Sequence, residues 1–504
     1  MTLLRNLMDA GGFEKIKDSL EKREVKSVDL VEDSLKEIEK QNKEINAVVS
    51  STPELALEMA KEADLLLDKK QRLDPLCGVP VGVKDLILVK DYKATAASKM
   101  LKDFIAPYDA TVSAKLKESK APIVAKLNLD EFAMGSSNEN SFFGPCSNPW
   151  DTSRVAGGSS GGSAASVASA MLPVSLGTDT GGSIRQPSAL CGLTGIKPTY
   201  GRVSRYGVVA FASSLDQVGS MAVDAFGAAA TLESISGFDK FDANSSNIRV
   251  PSFYSETKKF RDENGIKGMR IGMPKEFFDQ GVNPEVKKSI DEALELYQSL
   301  GAKLVEVSLP HVKHALATYY IICTSEASSN LARFDGIHYG HRSQSADPSQ
   351  LDQIYSKSRG EAFGDEVKLR ILMGTFSLSS GYYDAYYKKA SQVRQLIYND
   401  YASVFEKCDF IASPTSPFTA FKKAEKLSDP MQMYLSDIFT LSTNLAALPG
   451  ISFNVGYDQT SLPIGMQLMA PWWKESDLLG SAALYQKERP EHTKLAPVFS
   501  GGQK

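Results

Sequence analysis

The chain has 504 residues, 42% of them hydrophobic and 23% charged, with 57 basic and 61 acidic side chains for a net charge of −4. This is ordinary globular composition, enough for one large α/β domain or two to three smaller ones. The charges are mixed along the chain, which excludes the basic footprint of a protein that grips nucleic acid by itself; any RNA would be held mainly by another chain.

The N-terminus has an acidic residue at Asp9 and no continuous apolar stretch, which argues against a signal peptide. No run approaches the roughly 18 apolar residues of a membrane span. The first seventy residues read as helices, with Ser27 as an expected N-cap ahead of Val31, Leu35 and Ile38, and a second amphipathic helix from Pro53 to Leu67. From Gly78 the texture changes to short β-branched runs broken by Gly and Pro. Ile123-Val-Ala and Pro173-Val-Ser-Leu read as buried strands separated by helices, the α/β pattern. Residues 238–265 are polar and weakly periodic and read as a surface connection. A strand at Met269–Met273 and an amphipathic helix from Glu285 to Leu300, closed by Gly301, follow. Phe410–Pro414 reads as a strand, and Ile451–Val455 with Ile464–Leu468 as a hairpin. The expected organisation is a helical segment over 1–75, one α/β domain over 76–490 with its weak connection at 238–265, and a tail over 491–504. Cys77, Cys146, Cys191, Cys323 and Cys408 are odd in number, far apart and without a CxxC pair. They read as buried thiols of a reducing cytosol, so the expected location is cytoplasmic.

The most unusual stretch runs Gly157-Gly-Ser-Ser-Gly-Gly-Ser163, then Leu176-Gly-Thr-Asp-Thr-Gly-Gly-Ser-Ile-Arg-Gln-Pro187. Such glycines suit a phosphate cradle, a flexible linker or an oxyanion hole around a serine. The cradle lacks both GxxxxGK[ST] and a dinucleotide fingerprint. The linker conflicts with the apolar runs, Ala164–Leu172 and Val174–Leu176, in which the glycines are embedded. A nucleophilic serine needs a base, usually histidine. The five histidines, His311, His314, His338, His341 and His492, all lie beyond residue 310 and read as surface residues. Lysine serves instead when burial leaves it neutral at working pH. Lys84, in the apolar run Gly78-Val-Pro-Val-Gly-Val-Lys-Asp85, is the candidate, although alone it would read as a strand-end lysine facing solvent.

It does not stand alone. Gly78-Val-Pro with Lys84-Asp85, the 157–163 run, and Gly177-Thr-Asp-Thr-Gly-Gly-Ser183-Ile-Arg, in that order, resemble the amidase signature family. The resemblance implies an α/β fold with a large mixed central sheet covered by helices on both faces. It also implies Lys84 as base, Ser159 in a cis peptide as proton relay and Ser183 as nucleophile. The backbone N–H groups of Thr180, Gly181, Gly182 and Ser183 can then point at the developing oxyanion.

Within the family the sequence is similar to the A subunits of glutamyl-tRNA(Gln)/aspartyl-tRNA(Asn) amidotransferases, through the stretches 130–141, 195–207, 325–336 and Gly381-Tyr-Tyr-Asp-Ala-Tyr-Tyr387. That likeness implies a glutamine-hydrolysing chain that passes ammonia to a B subunit, with a small C subunit completing a heterotrimer. The B subunit would hold the tRNA and use ATP and magnesium, this chain carrying neither metal nor cofactor. Glutamine is a zwitterion, and the resemblance places Asp437 on its amino group, Arg370 on its carboxylate and Tyr320 at the pocket wall. Leu86 stands where the family commonly has asparagine, and Lys126-Leu-Asn replaces its usual Lys-Thr-Asn. A stand-alone amidase on another small amide would keep the same triad. A non-catalytic scaffold would not need all three residues.

Overall fold

The computed structural model describes residues 2–69, 73–278, 281–426 and 433–497. Thirteen described strands are β1 (Val48–Ser51), β2 (Val81–Lys84), β3 (Ile123–Leu127), β4 (Ser147–Asn148), β5 (Asp151–Val155), β6 (Val174–Asp179), β7 (Thr194–Lys197), β8 (Gln217–Ala222), β9 (Arg270–Pro274), β10 (Lys303–Val307), β11 (Phe410–Pro414), β12 (Gly450–Tyr457) and β13 (Pro463–Met469). Eleven of them form one sheet in the order β1-β3-β2-β6-β8-β7-β12-β13-β11-β9-β10, while β4 and β5 pair separately. The sheet is mixed. β2 lies parallel to β3 and β6, and β9 parallel to β10 and β11; the centre, from β6 through β8, β7, β12 and β13 to β11, is antiparallel. Helices cover both faces, which is why β2, β3, β6, β7 and β8 are buried at every position rather than alternately. The expected large mixed α/β sheet is thus the observed one.

The hairpin is present as β12–β13, and the helix expected at Glu285–Leu300 spans Pro284–Ser299, with Asn283 as its N-cap and Gly301 at φ 102° just beyond it. Two local expectations are corrected. Ser27 is the first helical residue rather than the N-cap, which is Lys26; the Ser27 hydroxyl donates instead to Gly78 O, and its N–H goes to Asp64. The connection 238–265 contains a helix, Phe253–Asp262, anchored by buried Phe253 and Thr257 one turn apart beneath an otherwise charged surface. Phe253, Tyr254, Thr257 and Phe260 recur at helical spacing, but the Ser, Glu, Lys, Arg and Asp between them give the stretch the polar look of a loop. The N-terminal helical segment contributes the edge strand β1, antiparallel to β3. Of the tail, residues 498–504 lie outside the described residues; 490–493 form a short 3-10 turn. All five cysteines are free and buried, and no described helix is long and apolar enough to cross a membrane.

One ion pair is central. Arg185 and Asp179 are fully buried with Arg185 Nε 3.0 Å from Asp179 Oδ2, and the guanidinium also donates to Gln467, Asn444 and the Thr440 carbonyl. Burial alone would raise the Asp179 carboxyl, but Arg185 overrides it and holds the group at about 2. Arg185→Ala is therefore expected to lower stability by about 3–5 kcal/mol, the cost of leaving a buried charge unpaired, measurable by urea unfolding.

Candidate active site

Lys84 ends β2, and its neighbour β6 delivers Asp179 and the turn that follows it; the two strands are parallel and lie third and fourth in the sheet. Two loops therefore converge on the carboxyl ends of adjacent strands. The first, Gly157–Ser160, carries a cis peptide between Gly158 and Ser159 and leads into the helix Gly161–Ala168. Gln186 holds this loop by accepting from Gly158 N–H and donating to Ser136 O. The Ser159 carbonyl accepts from Asp130 N–H. The second loop, Thr180–Ser183, precedes the helix Arg185–Cys191.

Lys84 is fully buried. Its Nζ lies 2.8 Å from Ser159 Oγ, 2.8 Å from Ser160 Oγ and 2.9 Å from Thr178 Oγ1. Burial pushes the amine down to about 7, and the carboxylates of Asp130, Asp216 and Asp179 stop it falling further. The hydroxyls sort its protons. Ser160 Oγ donates to the Thr178 carbonyl, so towards Lys84 it acts as an acceptor. With Thr178 taking the second hydrogen of a neutral amine, the lone pair is left for the Ser159 hydroxyl. Ser160 and Thr178 were not legible as partners of Lys84, since nothing in the sequence distinguishes Ser160 from its neighbours in the Gly/Ser run.

Ser183 is 9% exposed while Ser159 is fully buried, so a substrate meets Ser183 first. The two positions just before it admit no side chains. A Cβ on Gly181 would stand 2.6 Å from the Tyr319 ring, and one on Gly182, at φ 137°, 2.2 Å from Thr440 Oγ1. The Gly182 N–H donates to Asp179 Oδ1 at 2.8 Å, so its place among the expected oxyanion donors is corrected: the turn that spares Gly182 a clash aims its N–H at the buried carboxylate. The N–H groups of Thr180, Gly181 and Ser183 have no acceptor among the described residues and remain available to an oxyanion. Thr180 is fixed through its hydroxyl, which donates to Asp216.

Beside this centre lies a cluster of buried polar and aromatic side chains. Asp437, in a 3-10 turn at Leu435–Asp437, is buried; its Oδ2 accepts from Ser136 Oγ, and its Oδ1 has no partner among the described residues. Burial pushes the carboxyl up to about 7, against the pull of Ser136 and Arg370. Arg370, on the helix Asp365–Leu378, is also buried. It pairs with Glu366 Oε1 at 2.7 Å, and its guanidinium lies 5.3 Å from the Tyr320 ring and 5.7 Å from that of Tyr434. Tyr320 and Tyr434 stack at 4.0 Å. The structure thus gathers Arg370, Asp437 and Tyr320 into one region and adds Ser136, Glu366 and Tyr434, which the sequence reading missed. The stretch 130–141 explains Ser136: Asp130 accepts from the N–H groups of Asn138 and Asn140, folding the segment between Ser159 and Asp437.

The histidines lie elsewhere. His311 pairs with Asp400, His338 with Asp335 and His341 with Glu361, while His492 stacks on Tyr485 and His314 is exposed. Among the described residues no group of His, Cys, Asp and Glu is arranged to hold a metal ion.

Comparison with known proteins finds relatives over almost the whole chain. The family model described as Amidase matches residues 29–479. The A subunit of glutamyl-tRNA(Gln) amidotransferase from Geobacter sp. (strain M21) is 51% identical over 484 residues, covering 96% of this chain and 98% of that protein. The protein of the same name from Oceanobacillus iheyensis is 50% identical over 492 residues, covering 97% and 99%. The crystal structure of the corresponding A subunit from Thermotoga maritima is 40% identical, with a TM-score of 0.77, and covers 94% of this chain and 95% of its own. A 6-aminohexanoate cyclic dimer hydrolase, 22% identical with a TM-score of 0.81, shares the fold. With nearly nine-tenths of its length matched to that family model, the chain belongs to the amidase family.

Proposed function

We propose that this chain is the glutamine-hydrolysing A subunit of a tRNA-dependent amidotransferase, releasing ammonia that converts Glu-tRNA(Gln), Asp-tRNA(Asn) or both to the amidated forms. The observation that carries the substrate is the unpartnered, buried Oδ1 of Asp437 in the same buried cluster as Arg370. A buried acceptor without a partner is costly, and the ammonium of an amino acid is the group that relieves it. Arg370 then takes the carboxylate. The relatives that bear the A-subunit name, alike over nearly their whole length, support the same reading.

Neutral Lys84 takes the Ser159 proton as Ser159 takes that of Ser183, and Ser183 Oγ attacks the side-chain amide carbon. The N–H groups of Thr180, Gly181 and Ser183 receive the oxyanion. The relay then runs backwards, protonating the leaving nitrogen; ammonia departs, and water releases glutamate from the acyl-enzyme. ATP and magnesium belong to the B subunit, which also holds the tRNA; a C subunit completes a cytoplasmic heterotrimer. The test is ammonia release from glutamine against other small amides, with and without the B and C subunits. A preference for glutamine that partners enhance is expected; equal turnover of unrelated amides, unaffected by partners, would mark a stand-alone amidase.

The clamp has its own signature. Neither Asp437 nor Arg370 touches the scissile amide, so Asp437→Asn and Arg370→Met should chiefly raise KM for glutamine, lowering kcat/KM on the order of a hundredfold. Ammonia-dependent amidation by the assembled enzyme should persist. An unchanged KM would remove both residues from the pocket.

A further inference from the structure

Nothing in the triad itself fixes the second step of its relay. Lys84 Nζ lies 2.8 Å from Ser159 Oγ, whereas no hydrogen bond joins Ser159 Oγ to Ser183 Oγ among the described residues. The separation of those two hydroxyls is set by the two loops that carry them. Each loop has moorings of its own. The Ser159 carbonyl accepts from Asp130 N–H, and Ser160 is tied to β6 at the Thr178 carbonyl. Asp179 takes the N–H groups of Gly182 and Ile184. None of these bonds ties one loop to the other. Between 157–160 and 180–187 the described residues make a single hydrogen bond, from Gly158 N–H to Gln186 Oε1 at 3.0 Å.

Gln186 suits that place. It stands three residues past Ser183, is fully buried, and donates its own N–H to Gly182 O, closing the turn around the nucleophile. Its Oε1 takes the N–H of the residue before Ser159, and its Nε2 donates to Ser136 O at 2.8 Å. An amide supplies an acceptor and a donor together, where an ionised carboxylate of the same length only accepts. The approach is close. A Cβ on Gly157, at φ 84°, would stand 2.5 Å from Gln186 Oε1 and 2.8 Å from Pro187 Cα, so glycine lets the loops meet. Resting on the relay proposed above, we infer that Gln186 is a positioning residue, which holds Ser159 within proton-transfer reach of Ser183 and acts through the loops rather than on the substrate. The strap folded around Asp130 keeps its other bonds without Gln186, to Asn138 and Asn140 N–H, and Ser136 reaches Asp437 by its hydroxyl. Loss of the Gln186 amide should therefore slow bond breaking and leave glutamine binding nearly intact.

Gln186→Met keeps the volume and removes both side-chain bonds. In the assembled enzyme it should lower kcat for glutamine about a hundredfold, as for reacting groups misplaced by about 1 Å, with KM changed by about threefold at most. Phenylmethylsulfonyl fluoride gives a readout that needs no zwitterion clamp. Ser183 Oγ displaces fluoride from its sulfur as the hydroxyl proton passes into the relay, and inactivation should slow by a factor similar to that in kcat. Asn454→Leu is the control for stability alone. Asn454 is buried on β12, and its amide likewise bridges a backbone N–H, of Gly456, and a carbonyl, of His492. Its loss should lower the melting temperature and leave kcat and sulfonylation within about twofold of the unaltered chain. Should Gln186→Met fail to fold, Gln186→Asn, which keeps an amide but draws it back from Gly158, carries the same test. A Gln186 variant that behaves like Asn454→Leu, less stable but catalytically intact, overturns the inference. A KM raised about tenfold or more at unchanged sulfonylation assigns Gln186 to the clamp and overturns it as well. If Ser183→Ala is sulfonylated as fast as the unaltered chain, the relay proposed above falls first.

Discussion

Ser183→Ala is expected to abolish ammonia release from glutamine while the assembled enzyme still amidates tRNA from added ammonia. The substitution removes one oxygen at a site 9% exposed and adds no bulk, so the fold should persist. No second hydroxyl can take over. Ser159 is fully buried, and Ser160 is committed to Lys84 and to the Thr178 carbonyl. The measurement is glutamate formation against ammonia-dependent amidation in the same preparation. Residual glutamine turnover near that of the unaltered chain would place the nucleophile elsewhere.

The second large effect concerns Lys84 and Ser159. Each alanine substitution should lower kcat by about a thousandfold or more, and the double variant should be little worse than either single one, because a relay fails as a unit. Effects that multiply would mean independent roles. The pH dependence tests the same assignment. Lys84, lowered by burial to about 7, serves as base only when neutral, so activity should be lost as pH falls through 7 and level off above it. Asp437, raised by burial to about 7, has to be ionised to hold an ammonium, and it therefore acts in the same direction. On kcat/KM the acid limb should fall about a hundredfold per pH unit, two protons being taken up; on kcat, where bound substrate keeps Asp437 ionised, about tenfold. Asp437→Asn should leave one proton in both profiles.

Much of this was legible before any coordinates. Glycines packed into apolar runs, and a lysine ending a buried strand, are anomalies that chemistry explains better than architecture. Where the reading failed, the cause was physical. The Gly182 N–H looked like an oxyanion donor until Asp179 was seen to claim it, a contact set by backbone turns that glycine leaves open. The aromatic residues of Phe253–Asp262 are outnumbered by the polar and charged ones around them, and Ser27 is held by Gly78, far along the chain. Strand order was out of reach because it depends on long-range pairings such as β6 with β8 and β7 with β12. Arg370 and Asp437 came from likeness to relatives; by themselves they look like any helix charges. Ser160 and Thr178 became visible only once Lys84 had been given a place.

The segment folded around Asp130 touches both ends of the chemistry. Its first N–H fixes the Ser159 carbonyl, and its Ser136 hydroxyl meets the Asp437 carboxylate. Substrate and strap therefore share one carboxylate, the ammonium on Oδ1 and Ser136 on Oδ2. An amide of the same size without an α-amino group would leave Asp437 Oδ1 without a partner, although the Ser136 bond to Oδ2 would stay. Discrimination against such impostors should then be written mainly in occupancy, as a high KM, so that a poor substrate is also a feeble inhibitor of glutamine hydrolysis.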